Sequence, residues 1–579
     1  MKTCYSAERN TQMLIALLKA HGIKKIIVSP GATNICFVAS IQCDPFFEIF
    51  SSVDERSAAY MACGMAAESS EPVALSCTGA TASRNYLPGL TEAYYRKLPV
   101  LAITATQHIG RVGQLIPQVI DRSVSMRDIT MMSVQIPKIH DKEDEWAYEV
   151  MLNKALLELR HRGQGPVHVN LATEYSSDFS VKELPKVRVI NRICPGDDMP
   201  KLNNGRVAIY VGAHNKWSNE LSEMVDTFCS IYDGVVLCDH TSNYRGKYRI
   251  LPNLLCSQVF YSSPCRTFDI LIHIGEVSGA YTSIFPEQVW RVSADGEVRD
   301  AFRKLRYVFE MQEEDFFKSY LRLPPNKTHE NSFIQQWKAE CDRVISKVPE
   351  VPFSNVWIAQ QTISRLPEGS VLHLGILNTL RAWNFFESPN SVLGYSNTGG
   401  FGIDGCVSSL IGASLVDGDR PYFGVVGDLA FFYDMNVIGN RHVGSNVRLI
   451  LINNGRGTEF LIYNAKGAIF GEDTNAYIAA AGHFGNKSQK LVKHYTEDLG
   501  FEYFSASTKE EYLRNVDRFT SPQIAKPMLF EVFTNSADES KALEMLHNIE
   551  KNAAGKTKKL AKKVLGDRGV EALKKMLDK

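Results

Sequence analysis

The sequence has no excess of either charge: Lys plus Arg and Asp plus Glu each total 64 of 579 residues. Nothing in its bulk electrostatics draws it to nucleic acid. It has no apolar run approaching the roughly 18–20 residues that span a bilayer, so no transmembrane segment is expected. Its twelve cysteines contain no C-x-x-C pair, which argues against a structural zinc site and a disulfide framework and predicts reduced thiols in a cytoplasmic setting. There is no internal repeat and no low-complexity tract. The opening stretch, MKTCYSAERNTQ, turns polar before any apolar segment, so no secretory signal is expected. What remains is the composition of an ordinary globular chain, 44% hydrophobic and 22% charged, and too long for one hydrophobic core.

Short apolar runs at 24–28, 72–77, 99–105 and 166–171 alternate with helical patterns, which predicts a mostly parallel, doubly wound sheet. A polar, Pro-containing stretch at 176–203 reads as a linker. A second α/β block follows, with runs at 207–213, 234–239, 269–275 and 289–295. A polar break at 322–332 precedes a third, with runs at 371–375, 422–428, 447–453 and 528–533. Fold class is therefore α/β, with three doubly wound parallel-sheet domains expected at 1–178, 203–325 and 350–540. The tail, 541–579, is basic and patterned as a helix, with nine Lys/Arg against three Asp/Glu over 556–579. Such a run is most simply a solvated helix.

The third block carries the most specific chemistry. The apolar run YFGVVGD ends at Gly427-Asp428 and leads into a helical stretch opening at Leu429; the next run, VRLILIN, ends in Asn453-Asn454-Gly455-Arg456-Gly457. The offset from Asp428 to Asn454, 454 − 428 = 26 residues, is one strand–helix–strand unit. Both residues are therefore expected at carboxyl ends of parallel strands, where open α/β sheets bind ligands. A hard cation such as Mg²⁺ takes oxygen ligands and usually shares phosphates. Asp428 offers a carboxylate, Asn454 an amide oxygen and Arg456 its main-chain carbonyl. Gly427 and Gly457 allow close backbone approach.

The spaced Gly-Asp and Asn-Asn pairs resemble the signature of thiamin diphosphate (ThDP) enzymes. In the first block FFEIFSSVDERSAAYMACGMAAESS reads as a strand leading into an Ala-rich helix with Glu55 at the junction, and CTGATASRNYLPGLTEA follows at 77–93. Together these resemble the ThDP-dependent 2-oxoacid decarboxylase/carboligase family, the acetohydroxyacid synthase and pyruvate decarboxylase group. SPGATN (29–34), DERSAA (54–59), NTGGFGIDG (397–405), GDLAFFYDMN (427–436) and INNGRGTEF (452–460) look closest to its MenD-like branch, which adds a succinyl unit from 2-oxoglutarate to isochorismate.

The resemblance implies ThDP and Mg²⁺ as cofactors, a pyrimidine-binding first domain, a central domain and a diphosphate-binding third domain, in a homodimer or homotetramer with sites at the interface. Glu55 matches the activating glutamate that protonates the pyrimidine and so promotes loss of the C2 proton, and burial is expected to raise its pKa. Thr78, Asn85, Ile376, Asn378, Gly402, Ile403, Gly427, Asp428, Leu429, Ala430, Asn454, Gly457 and Thr458 match cofactor-binding positions, with Ile403 as the bulky residue that bends the coenzyme. Gln118 matches a glutamine near the reacting carbon, and Arg381 an arginine facing the donor 2-oxoacid.

The departures are specific. Thr33, Gln107 and Thr398 stand where the branch carries arginines, the forks that bind carboxylates, and His108 follows Gln107. These five positions (Thr33, Gln107, His108, Arg381, Thr398) are the candidate substrate contacts. The expected reaction is decarboxylation of a 2-oxoacid and ligation of the resulting enamine to an acceptor carbonyl, a keto-sugar being one candidate. Simple decarboxylation, MenD-type synthesis and a catalytically silent paralogue are the alternatives.

Overall fold

The strands run parallel because each apolar stretch is separated from the next by helix, and helices cover both faces of the sheets, so the central strands are buried on both sides while edge strands such as β2 (Glu48–Ser51) are not. The computed structural model describes residues 4–202, 205–280, 282–323, 331–482, 488–523 and 525–552. The chain divides into two compact units, Met1–Asp197 with Asp295–Glu310, and Asp198–Ala294 with Met311–Lys579.

The first unit holds β1 (Lys25–Val28), β2 (Glu48–Ser51), β3 (Val73–Cys77), β4 (Val100–Thr106), β5 (Met132–Ile136) and β6 (Val167–Ala172), in the order β2-β1-β3-β4-β6-β5, all pairs parallel. Alternate residues feed two cores. Ile26, Ala74, Leu101 and Val169 pack with helices Arg9–Ala20 and Lys142–Glu158 on one face. Ile27, Leu75 and Ala102 pack with helices Glu55–Ser69 and Leu87–Arg96 on the other.

The stretch read as a linker contains β7 (Asn191–Ile193). Three residues, none fully buried, leave no apolar signature. The chain then forms β8 (Val207–Val211), β9 (Gly234–Leu237), β10 (Arg249–Ile250), β11 (Thr267–Ile274) and β12 (Phe285–Val292), in the order β10-β9-β8-β11-β12 within the second unit. Next comes β13 (Leu305–Phe309), which pairs parallel with β7. The segment Asp295–Glu310 falls in the middle block by sequence but belongs to the first unit. Asp300 accepts hydrogen bonds from Trp146 (2.8 Å) and Arg188 (2.6 Å), and Lys154 pairs with Glu297 at 2.6 Å.

The second unit also holds β14 (Val371–Leu374), β15 (Leu393–Tyr395), β16 (Tyr422–Gly427), β17 (Val447–Asn453), β18 (Glu502–Ala506) and β19 (Met528–Phe533), a parallel sheet in the order β15-β14-β16-β17-β19-β18. The α/β class with parallel-only sheets is the one the sequence predicts. Residues Ser536–His547 of the C-terminal region form a helix; the basic run at 556–579 lies outside the described residues. Among the described residues no helix is long and apolar enough to cross a membrane.

Candidate active site

Parallel pairing of β16 with β17 sets Gly427 beside Ile452, so Asp428 and Asn454 emerge at neighbouring carboxyl ends. Asp428 opens the helix Asp428–Asp434, one residue earlier than expected. Its carboxylate is buried and accepts N–H groups from Leu429 (2.8 Å) and Gly455 (2.5 Å). The Leu429 N–H is thus engaged by Asp428, not free. Burial pushes the Asp428 pKa up to about 6, while the backbone donors pull it down. The Arg456 carbonyl accepts the Thr458 N–H at 2.9 Å, leaving its second lone pair.

A cavity of about 170 Å³ opens over these strand ends. Gly427, Asp428, Leu429, Ala430, Asn454, Arg456, Gly457 and Thr458 line it, joined from other loops by Ile376, Asn378 and Ile403. Gly402 adjoins Ile403 in sequence. Two polar atoms of this group, Asn454 Oδ1 and Thr458 Oγ1, are buried and without a hydrogen-bond partner. A buried carboxylate beside orphaned oxygens is an arrangement that a cation and a polyanion satisfy together, so these residues fit a metal-bound diphosphate.

Arg381 does not present a free guanidinium. It pairs with Glu459 at 2.5 Å. Asn378, its amide turned to satisfy both atoms, donates to Glu459 Oε2 (2.5 Å) and accepts the Glu459 N–H (3.1 Å). Glu459 was not among the candidate residues; the visible signal was its place in INNGRGTEF. A second overlooked feature is Leu377, held at φ +66° between two cofactor-binding candidates. Side chains adopt that region at a cost of about 1–3 kcal/mol, and such strain clusters at functional sites.

In the first unit Glu55 is the first residue of its helix, after the cap Asp54, which accepts the Arg56 N–H at 2.9 Å. It is half-buried, with the Asn85 amide 3.5 Å from its carboxylate. The burial expected around it is not supplied by this unit. Thr78 follows β3, and its hydroxyl lies 2.6 Å from that of Thr33, which also accepts the Gly79 N–H at 3.1 Å. Thr33 is 2% exposed, so its hydroxyl braces the loop. A Cβ on Gly31 would sit 2.3 Å from Thr78 Cβ, and one on Gly79 3.0 Å from the Gln118 carbonyl. Both glycines are therefore close-approach positions. Gln118 is exposed, at φ +63°.

Gln107 donates to Tyr175 OH at 2.8 Å and accepts from Arg111. His108 is exposed and takes the Gly110 N–H on Nδ1 at 3.1 Å. Both line a cavity of about 480 Å³ within the first unit. Thr398, in the second unit, is buried, with its N–H on Ser396 O at 2.8 Å.

Residues 9–126 match the family described as thiamine pyrophosphate enzyme, N-terminal TPP binding domain. The chain is 30% identical over 574 residues to the 2-succinyl-5-enolpyruvyl-6-hydroxy-3-cyclohexene-1-carboxylate synthase of Bacteroides fragilis, covering 95% of this chain and 100% of that one. It is 31% identical over 569 residues to the synthase of the same name from Phocaeicola vulgatus, covering 95% and 99%. The Rhodococcus jostii RHA1 thiamine diphosphate-dependent 4-hydroxybenzoylformate decarboxylase aligns over 91% of this chain and 99% of its own, at 15% identity and a TM-score of 0.39.

The chain is thus a thiamin diphosphate-dependent 2-oxoacid enzyme of the decarboxylase/carboligase class, with thiamin diphosphate as its cofactor. Within that class it belongs to the MenD-like family of 2-succinyl-5-enolpyruvyl-6-hydroxy-3-cyclohexene-1-carboxylate synthases.

Proposed function

We propose that this enzyme decarboxylates a 2-oxoacid and joins the remaining fragment to a carbonyl acceptor that lacks the several carboxylates of its relatives' substrates. Those relatives are named for a product bearing succinyl, enolpyruvyl and carboxylate groups, which calls for cationic forks around the acceptor. The carrying observation is what occupies the corresponding positions here: Thr33 is locked to Thr78 and Gly79, Gln107 to Tyr175, and Thr398 is buried.

The cations around the larger first-unit cavity are already neutralised, Arg9 by Glu145 at 2.5 Å and Lys138 by Glu174 at 2.7 Å. Its walls include Ile109, Ile136, Pro137 and Ile139. A neutral polyhydroxylated carbonyl, such as a keto-sugar, suits such a lining of apolar surface interrupted by Gln107, His108 and Asn170.

Asp428, Asn454 and the Arg456 carbonyl would hold the metal, and the backbone at Gly427 and Gly457 with the Thr458 hydroxyl would hold the diphosphate. When bound, the coenzyme supplies the electron sink that lets CO₂ leave. Glu55 would exchange a proton with the aminopyrimidine ring, Ile403 would shape the coenzyme's conformation, and Gln118 would act near the reacting carbon. Arg381, exchanging Glu459 for substrate, orients the donor carboxylate.

The working unit is at least a homodimer, with Glu55 of one copy serving the cofactor held by another. Val53, Tyr60 and Met61, beside and along the helix that starts at Glu55, are 78%, 48% and 42% exposed. A second copy seated there would cover them and complete the burial of Glu55. The pyrimidine, central and diphosphate domains are assigned to residues 1–178, 203–325 and 350–540 on this reading, in a cytoplasmic enzyme.

Product analysis with a panel of 2-oxoacids, each with isochorismate, a keto-sugar or no acceptor, tests the assignment. A ligated product with a non-carboxylated acceptor supports it. Free aldehyde under every condition identifies a simple decarboxylase, and turnover confined to 2-oxoglutarate with isochorismate restores the relatives' reaction.

A further inference from the structure

The first unit buries a guanidinium that pairs with no acid among the described residues. Arg122, between β4 and β5, is 6% exposed. Its Nη2 donates to the Ala105 carbonyl at 2.7 Å, while Nε and Nη1 have no hydrogen-bond partner. Burial, with a smaller contribution from Arg84 nearby, pushes its pKa down to about 10, so the group still carries its charge at neutral pH.

The guanidinium borders a cavity of about 70 Å³ in which no lining residue is acidic. Ser83, Thr104, Ser125 and Thr130 also line it, but the hydroxyls of Ser83 and Thr130 already donate to the Ala80 carbonyl (2.7 Å) and to Ser125 Oγ (3.0 Å), and that of Thr104 is held between His168 and Asn170. Exposed Arg84, which donates to the Asp121 carbonyl at 2.9 Å, adds a second cation. His168, also on the wall, is held neutral, its pKa pushed down to about 3 by burial. Its ring nitrogens lie 2.6 Å from Thr104 Oγ1 and 2.8 Å from Ser133 Oγ. The neighbouring Cys77 thiol, raised to about 12 by burial, is neutral too. An uncompensated buried charge costs several kcal/mol. A water there would satisfy a free N–H group but leave the charge unanswered.

We propose that the open Nε and Nη1 of Arg122, with the charge of Arg84 beside them, bind one compact anion: a halide, a phosphate or a single carboxylate group. The size limits the choice. In this measure a water needs about 10–15 Å³, so the cavity takes one small anionic group and excludes a polycarboxylated substrate. The position gives the anion a role. Arg122 Nη2 lies 3.9 Å, and the Ala105 carbonyl it holds 3.4 Å, from where a Cβ on Gly79 would be. The anion therefore fixes a side chain that braces the Thr78–Ala80 loop from behind. That loop carries a non-glycine residue at φ +57°, Ala80. The site is independent of the acceptor proposed above.

The test is thermal unfolding of the full chain and of Arg122→Gln over a concentration series of bromide, phosphate or pyruvate, with gluconate at matched ionic strength as the control anion. The wild-type midpoint rises on the order of 2 °C per tenfold increase of the bound anion, and the variant stays on the gluconate line. A shift with bromide or phosphate identifies a free inorganic anion as the ligand, and a shift with pyruvate alone identifies the carboxylate end of a 2-oxoacid. Equal responses in the two proteins, or none beyond gluconate, overturn the proposal. Should Arg122→Gln fail to fold, wild-type crystals soaked in bromide decide: an anomalous peak within about 3.5 Å of Nε or Nη1 supports the site together with the wild-type midpoint shift. Water-only density overturns it, as does a peak with no midpoint shift.

Discussion

The Asp428 carboxylate and the Gly455 N–H meet at 2.5 Å, which ties the carboxyl end of β16 to the turn that follows β17. Residues 27 positions apart are thereby fixed around a buried carboxylate at the strand ends, and Asn454 Oδ1 is left without a hydrogen-bond partner.

Asp428→Asn removes the anionic ligand and keeps the side-chain shape. Titration calorimetry with thiamin diphosphate plus Mg²⁺ should show affinity weakened on the order of 100-fold, the scale of a lost metal-site interaction. The unfolding midpoint without cofactors should stay within a few degrees of wild type, because the neutral amide relieves a desolvated charge.

Arg381 and Glu459 are coupled, so their effects on catalysis should not add. Arg381→Met should raise the KM for the donor 2-oxoacid about tenfold or more, in line with a charged hydrogen bond of about 1.5–3 kcal/mol. Adding Glu459→Gln to that variant should cost less than Glu459→Gln does alone. Steady-state kinetics on the four proteins checks both.

Glu539 is fully enclosed, accepts the Asn355 N–H and the Thr534 hydroxyl, and has its pKa raised to about 7, chiefly by burial. An acid whose folded-state pKa is raised binds more protons folded than unfolded between its two pKa values. Stability from this group is therefore full below about pH 4.5 and is lost as pH rises through about 7. Denaturant unfolding across pH 5–8 should show this downward slope in wild type and a flatter profile in Glu539→Gln. The difference near pH 8 should be on the order of 3 kcal/mol.

Gly31→Ala places a methyl group 2.3 Å from Thr78 Cβ. The backbone must shift, which should cost about 1–3 kcal/mol. Unfolding midpoints should fall by several degrees, and affinity for thiamin diphosphate should weaken with them, since the displaced loop carries Thr78.

The strand ends that frame the cavity were legible because β16 and β17 are buried on both faces and so read as continuous apolar runs. The edge strands β5 and β18, MSVQI and EYFSA, are only partly buried and carry no such run. Asp428 and Asn454 declared themselves through residue type and a one-unit offset. Glu459 did not, because its importance lies in a pairing with Arg381, 78 residues away. Thr33 and Gln107 were legible as missing arginines, whereas their present hydrogen bonds depend on loops meeting in space. Nothing in the sequence around Arg122 marks it; its burial without an acid partner sets it apart.

In the proposed function the Glu55 carboxyl group activates the coenzyme. The direct measurement is the rate at which enzyme-bound thiamin diphosphate exchanges its C2 proton for deuterium, followed by NMR in wild type and Glu55→Gln at saturating Mg²⁺. The rate should fall about 10²–10⁴-fold, the range of a lost acid–base group, with the coenzyme still bound. Exchange at the wild-type rate in a fully loaded variant contradicts that role.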